Sequence, residues 1–267
     1  MTEQEAGKVA PQGFHQSGKR TVAEVLVFLL AIALLILAAR GCAGCATTAL
    51  VSQIPSSVDA TIGKVGGEAM RAQHGVGQTP SAEDQARAAR VFEELRTHLT
   101  SEEAARLVSP RLTVLSDKQA NAFALPGGEV FVLTGLLDRT KDDDDALRGV
   151  MAHELGHAVR RHGVRSLVRN SVYGLVLAYV LGDMGGITAT LVAGASHLDE
   201  LGFSRDMEED ADAFAVDLLQ RAGHTPEGLA RFMESLESAP VPQILSTHPD
   251  SADRAREIRA RMQKPAP

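Results

Sequence analysis

"VMAHELGHAVRRHG" runs from Val150 to Gly163 and places His153 and His157 four residues apart, with Glu154 directly after the first. On a helix, residues i and i+4 stack on one face. The two imidazoles can therefore address one metal ion while Glu154 projects toward the same cleft. The flanking sequence predicts that helix. It begins in the acidic "KDDDDALRG", its last turn holds Arg160, Arg161 and His162, and Gly163 follows as a stop signal, a charge order that suits the helix dipole. The Asp142 to Asp145 run lacks the alternating oxygen ligands and glycine of a calcium loop, so it reads as the start of the helix.

Two histidines leave zinc under-coordinated, because a catalytic site needs three protein ligands and an open position. "SRDMEEDADAFA", Ser204 to Ala215, is the obvious donor, a helix carrying Glu208 and, one turn later, Asp212. Glu208 would bind the ion and Asp212 would accept the Nδ1 hydrogen of His153. Glu209 and Asp210 compete for the ligand role, but the i to i+4 relation with Asp212 favours Glu208. His162 and Arg165 read equally well as residues that close the helix end and pair with carboxylates.

The 267 residues are 44% hydrophobic, ample for a packed core, and carry a formal net charge of -7. With no extended Lys/Arg surface, a nucleic-acid partner is excluded. Cys42 and Cys45 are the only cysteines and supply neither a disulfide scaffold nor four zinc ligands. They follow an apolar run, "VLVFLLAIALLILAA", Val25 to Ala39, itself preceded by Lys19 and Arg20. Residues 21–41 thus read as a transmembrane or signal-anchor helix, with lipidation of Cys45 after a cleaved signal as the competing outcome. The positive-inside rule, applied to Lys8, Lys19 and Arg20, places the N-terminus in the cytoplasm and the body on the exported side. Residues 1–20 form a disordered tail, 42–56 a linker and 57–267 the catalytic domain.

Within that domain, helices are expected from Ser56 or Ser57 through "VDATIGKVGGEAMRAQ", over Ala82 to Leu99, over Arg205 to Ala222, in "TPEGLARFMESLES" behind Thr225 and Pro226, and after "STHPD". "RLTVLSD" and "EVFVLTGLL" are the β-rich stretches, the second following the turn "LPGG". The fold class is α+β, predominantly helical with a small sheet. The apolar region 172–196 is divided by Asp183 and Gly185-Gly186 into halves too short to span a bilayer, which favours buried helices over the site against a membrane pass.

"HELGH", followed some fifty residues later by the E-x-x-A-D pattern of "SRDMEEDADAFA", resembles the HtpX and CAAX prenyl protease family of gluzincin zinc metallopeptidases, most of all its bacterial, extracytoplasmic BepA-like branch. "NAFALPGG" (Asn121 to Gly128) and "STHP" (Ser246 to Pro249) with Arg254 extend the resemblance from about Ser57 to the C-terminus. Ala255 departs from the aliphatic residue usual after that arginine. The resemblance implies a zincin-type fold and one zinc ion per chain on His153, His157 and Glu208, with Glu154 as general base in peptide-bond hydrolysis. It also implies that Asn121, Ala122, Phe123 and Ala124 border extended or unfolded polypeptide substrates, with the strand "EVFVL" lying along the cleft. His248 stands near the metal in such proteins, as oxyanion stabiliser or removable extra ligand; as a bare sequence feature it is a turn histidine before Pro249. Misfolded or unassembled proteins of the bacterial envelope are the implied substrates, and a periplasmic chaperone or assembly factor with little turnover is the alternative.

Overall fold

The computed structural model describes residues 26–27, 51–74, 79–171, 184–195, 202–237, 248 and 251–262. The chain divides into two compact units, Met1–Ala46 and Thr47–Pro267. The anchor expected at 21–41 lies outside the described residues apart from Leu26 and Val27, which are helical, and no described helix is long and apolar enough to cross a membrane. The larger unit contains, in order, α1 (Ser56–His74), α2 (Ala82–Thr97), α3 (Ser101–Arg106), β1 (Arg111–Leu115), β2 (Ala122–Ala124), β3 (Glu129–Leu133), α4 (Thr134–Arg139), α5 (Asp144–Val159), α6 (His162–Asn170), α7 (Met184–Gly194), α8 (Arg205–Arg221), α9 (Glu227–Glu237) and α10 (Ser251–Met262). The architecture is the predominantly helical one with a small sheet that the residue pattern predicts.

The sheet order is β1-β3-β2, with β1 parallel and β2 antiparallel to β3. Every residue of β3 is buried. Because side chains alternate across a strand, Val130 and Val132 join one hydrophobic cluster with α2, α5, α8 and α9, while Phe131 and Leu133 join another with Ile62, Met70, Val164, Leu167 and Leu191. Leu191 places α7, the described half of the 172–196 region, against α1 and α6. The expectation that "EVFVL" lies along the cleft is corrected here. β3 is hydrogen-bonded on both edges, so its backbone groups are spent within the sheet and β2 forms the edge instead.

Four elements are additional to those predicted: α4, which takes the "TGLL" half of the stretch read as β-rich, α6, α3 and β2. β2 is three residues long, too short to display alternation, and is a strand only because it pairs with β3. α3 did leave a signal: Thr100 and Glu103 form a reciprocal capping box at its start.

The metal-motif helix ends sooner than the sequence suggests. α5 stops at Val159, Arg161 takes a left-handed conformation (φ 57°), and α6 starts afresh at His162, so Gly163 lies inside a helix rather than ending one. The cause is a fixed guanidinium. Arg161 donates to both oxygens of buried Asp59 (2.7 and 2.6 Å) and to the carbonyls of Val51 and Ile54 (3.0 Å each), which holds its backbone where a non-glycine residue is otherwise disfavoured.

α5 is buried over nearly its whole length. Asp143 caps it by accepting from the Ala146 N–H, and also accepts from Arg231 of α9. Farther along, α5 meets α9 at Gly149, where a Cβ would stand 2.6 Å from Leu229 Cβ and 2.8 Å from its Cα. Backbone atoms cannot yield as a flexible side chain can. Gly149→Ala should therefore destabilise the protein by about 1–3 kcal/mol through overpacking, read as a lower midpoint in urea denaturation; an unchanged midpoint would mean that α5 and α9 separate at no cost.

Candidate metal centre

α5 and α8 pack tightly at Gly156, where a Cβ would lie 3.1 Å from both the Ala211 carbonyl oxygen and Phe214 Cδ1. A small residue on each helix brings Glu208 of α8 against the paired histidines of α5. His153 Nε2 and His157 Nε2 are 2.9 Å apart. Glu208 Oε2 is 3.5 Å from the first and Oε1 is 3.6 Å from the second. His248 adds Nδ1 at 3.3 Å from His153 Nε2 and 3.0 Å from Glu208 Oε1. One ligand atom from each of these four buried residues lies within 4.8 Å of all the others. Ligands held about 2.0–2.2 Å from a tetrahedral ion are separated by roughly 3.3–3.6 Å, so the spacing suits a single metal ion.

The charge balance suits it too. Among the described residues, Glu154, Glu208 and Asp212 are buried with one buried guanidinium, that of Arg254. Neither Glu154 oxygen makes a well-aligned hydrogen bond among the described residues; the Ala124 backbone lies close by, and His248 Nε2 stands 3.6 Å from Oε1. Buried carboxylates without partners are costly, and a divalent cation would meet the deficit. Burial pushes the Glu154 pKa up, although His248 and His153 partly oppose it. Burial also drives His157 well below the ordinary histidine value, leaving a neutral imidazole suited to ligation. For His153 burial acts downward as well, but the carboxylates of Asp212 and Glu208 outweigh it and raise the pKa to about 9. Burial acts upward on Glu208, yet the surrounding histidines hold it far below the usual carboxylate range.

Asp212 and Arg254 brace this cluster. Arg254 donates to both oxygens of Asp212, Nε and Nη2 each at 2.8 Å, while its Nη1 lies 2.6 Å from Glu208 Oε2. Asp212 Oδ1 stands 2.9 Å from His153 Nδ1, within hydrogen-bonding distance though the N–H is not aligned on it. The carboxylate thus faces the nitrogen that a ligating Nε2 leaves over.

Phe203 leaves no signal in the sequence, and His162 and Arg254 show theirs only in part. His162 Nδ1 is 3.0 Å from His157 Nδ1, and its Nε2 is 3.3 Å from Asp210 Oδ2. At i+5 from His157 it would miss that face of a continuous helix; the break at Arg161 turns it inward. Phe203 stacks on the His157 ring, with centroids 3.9 Å apart and planes 22° from parallel. Arg254 was visible only as part of a motif, and nothing in "DRARE" marks it for burial. Asn121 to Ala124 lie at and just before the edge strand β2, which packs on α5. Ala122 and Ala124 face the α5 side of the sheet, Phe123 stacks on Phe131 at 5.2 Å, and the buried Asn121 Oδ1 has no partner.

Residues 83–262 match Peptidase family M48. The chain is 31% identical over 168 residues to the "Beta-barrel assembly-enhancing protease" of Escherichia coli O157:H7, covering 55% of this chain and 34% of that protein. It is 34% identical over 155 residues to the "Metalloprotease LoiP" of Escherichia coli K12, covering 54% and 60%. A third relative, the "Mitochondrial metalloendopeptidase OMA1" of Schizosaccharomyces pombe, is 34% identical over 154 residues, covering 55% and 45%. The chain thus matches between a third and three fifths of the length of these curated relatives.

The bracing by Asp212 can be tested without altering a ligand. Asp212→Asn keeps the shape but removes the charge that faces His153 and Arg254. Metal affinity should fall roughly 10- to 100-fold, measured by competition with a chelator while circular dichroism checks the fold; an affinity equal to wild type would dismiss the role.

Proposed function

The chain belongs to peptidase family M48, and on that premise we propose that it is a zinc-dependent endopeptidase acting on extended or unfolded polypeptides. One observation carries this reading: His153, His157 and Glu208 direct ligand atoms at a common centre, with Glu154 buried beside it. Zinc at such a centre supplies Lewis acidity, lowering the pKa of water there from ~15.7 toward about 7 and polarising a carbonyl.

The protein's own residues manage the proton and the substrate. Glu154 accepts the proton of the attacking water on a carboxylate oxygen and delivers it to the leaving amine. The upward pull of burial on its pKa favours holding that proton between the two steps. A substrate strand adds to the outer edge of β2 through main-chain hydrogen bonds, with Asn121, Ala122, Phe123 and Ala124 as its border, which makes sequence selectivity loose. His248 would serve as a fourth ligand through Nδ1, which lies 3.0 Å from Glu208 Oε1, while its Nε2 faces Glu154 at 3.6 Å and would hinder access of water to the base. That placement favours a removable extra ligand over an oxyanion donor.

Residues 21–41 would anchor the chain in the bacterial cell envelope, with residues 1–20 as a tail, 42–56 as a linker and the catalytic domain from residue 57 on the exported, periplasmic side. The apolar run and its flanking charges support this. The relative named for enhancing β-barrel assembly supports misfolded or unassembled envelope proteins as substrates.

The full chain should cleave a reduced, unfolded protein in the presence of zinc. Glu154→Gln should retain close to one zinc per chain and lose at least ~100-fold in turnover, whereas Glu208→Ala should lose most of its zinc. Wild-type turnover in Glu154→Gln would defeat the endopeptidase proposal and leave the chaperone or assembly role. His248→Ala should raise turnover several-fold by removing an extra ligand; a fall in turnover with zinc retained would assign His248 to the oxyanion instead.

A further inference from the structure

A cavity of about 530 Å³ lies where the end of α5, the start of α6, α3 and residues near the start of α1 come together. Its lining includes Arg106, Arg160, Arg161 and Arg165 against one carboxylate, Asp210. Two of these arginines are already engaged. Arg161 is held by Asp59 and two carbonyls, and Arg106 donates to Glu102 at 2.7 Å. Arg160 Nε stands 3.4 Å from Asp210 Oδ1 without forming a hydrogen bond, and that carboxylate is shared with His162. Arg165 also faces Asp210, so one carboxylate serves Arg160, Arg165 and His162 together, and the Arg165 Nε makes no hydrogen bond.

Arg160 and Arg165 outnumber the one carboxylate on the wall, so the cavity carries a positive excess that an anion would offset. Ser56, the first residue of α1, lines the same cavity and brings the positive end of a 19-residue helix to it. Guanidinium groups present planar forks of N–H donors that match tetrahedral oxyanions. We propose that this cavity is a binding site for phosphate groups, with Arg165 and Arg160 donating to the oxygens. The site does not depend on the peptidase proposal, because its occupancy can be read without turnover.

Calorimetric titration of the full chain with inorganic phosphate should show saturable binding. Arg165→Gln should weaken it about tenfold or more, the loss of one charge-assisted hydrogen-bonded contact, while Arg165→Lys, which keeps the charge without the fork, should fall between. Unchanged thermal melting would show that the variants fold. Vesicles of phosphatidylcholine, with and without phosphatidylglycerol, separate the two sources of the group. Arg165-dependent vesicle binding displaced by phosphate supports the site with a lipid headgroup as its source; phosphate binding without Arg165-dependent vesicle binding supports it with a free phosphate. Absence of saturable phosphate binding, or equal affinity in wild type and Arg165→Gln, overturns the proposal, as does Arg165-dependent binding of polyglutamate tighter than that of phosphate.

Discussion

The close crossing of α5 and α8 at Gly156 and Ala211 is the constraint on which the rest of the centre depends. Metal ligation tolerates errors of only a few tenths of an ångström, and Glu208 reaches the histidines from a separate helix. A side chain at position 156 would press on the Ala211 backbone and on Phe214, in the helix that carries Glu208. The same closeness draws Asp212 to His153 and leaves room for Arg254 to bind both carboxylates from α10. Packing and charge are therefore coupled: the contact that assembles the ligands also buries more negative than positive charge. A cation that fills the centre would be part of the stability of the fold as well as of its chemistry.

The sheet is small because its task is local. β3, buried on both faces and paired on both edges, divides the interior into two clusters and carries β2 on its flank against α5. Its one charged residue, Glu129, is buried but satisfied by Arg71, Arg111 and Thr113, so the strand stays fixed without an unpaired charge. The edge strand β2 is thereby held firmly next to the metal-motif helix.

Much of this centre was legible because its members obey helical spacing. His153 and His157, like Glu208 and Asp212, are i and i+4 pairs, and the single period of 3.6 residues that defines a helix face places each pair together. The acidic start of α5 announced itself in the same way, and Asp143 does cap it. What escaped depends on long-range contact. β2 has no pattern of its own, and "EVFVL" reads as a strand without revealing that both its edges are taken. His162 lay off the expected face until the chain broke at Arg161, a break dictated by a carboxylate about a hundred residues earlier. Arg254 sits among similar arginines in α10, and only the arrival of Asp212 and Glu208 distinguishes it.

Arg161 carries a consequence for the extent of the folding unit. Two of the oxygens that hold it belong to Val51 and Ile54, and Val51 is itself buried with residues of α1, α6 and α7. A fragment cut at the start of α1 would lack both carbonyls, leaving guanidinium hydrogens without acceptors at the joint that turns His162 inward. The residues just upstream of that helix thus act as a splint for the metal-motif helices, and a recombinant version of the domain proposed from residue 57 should carry them as well.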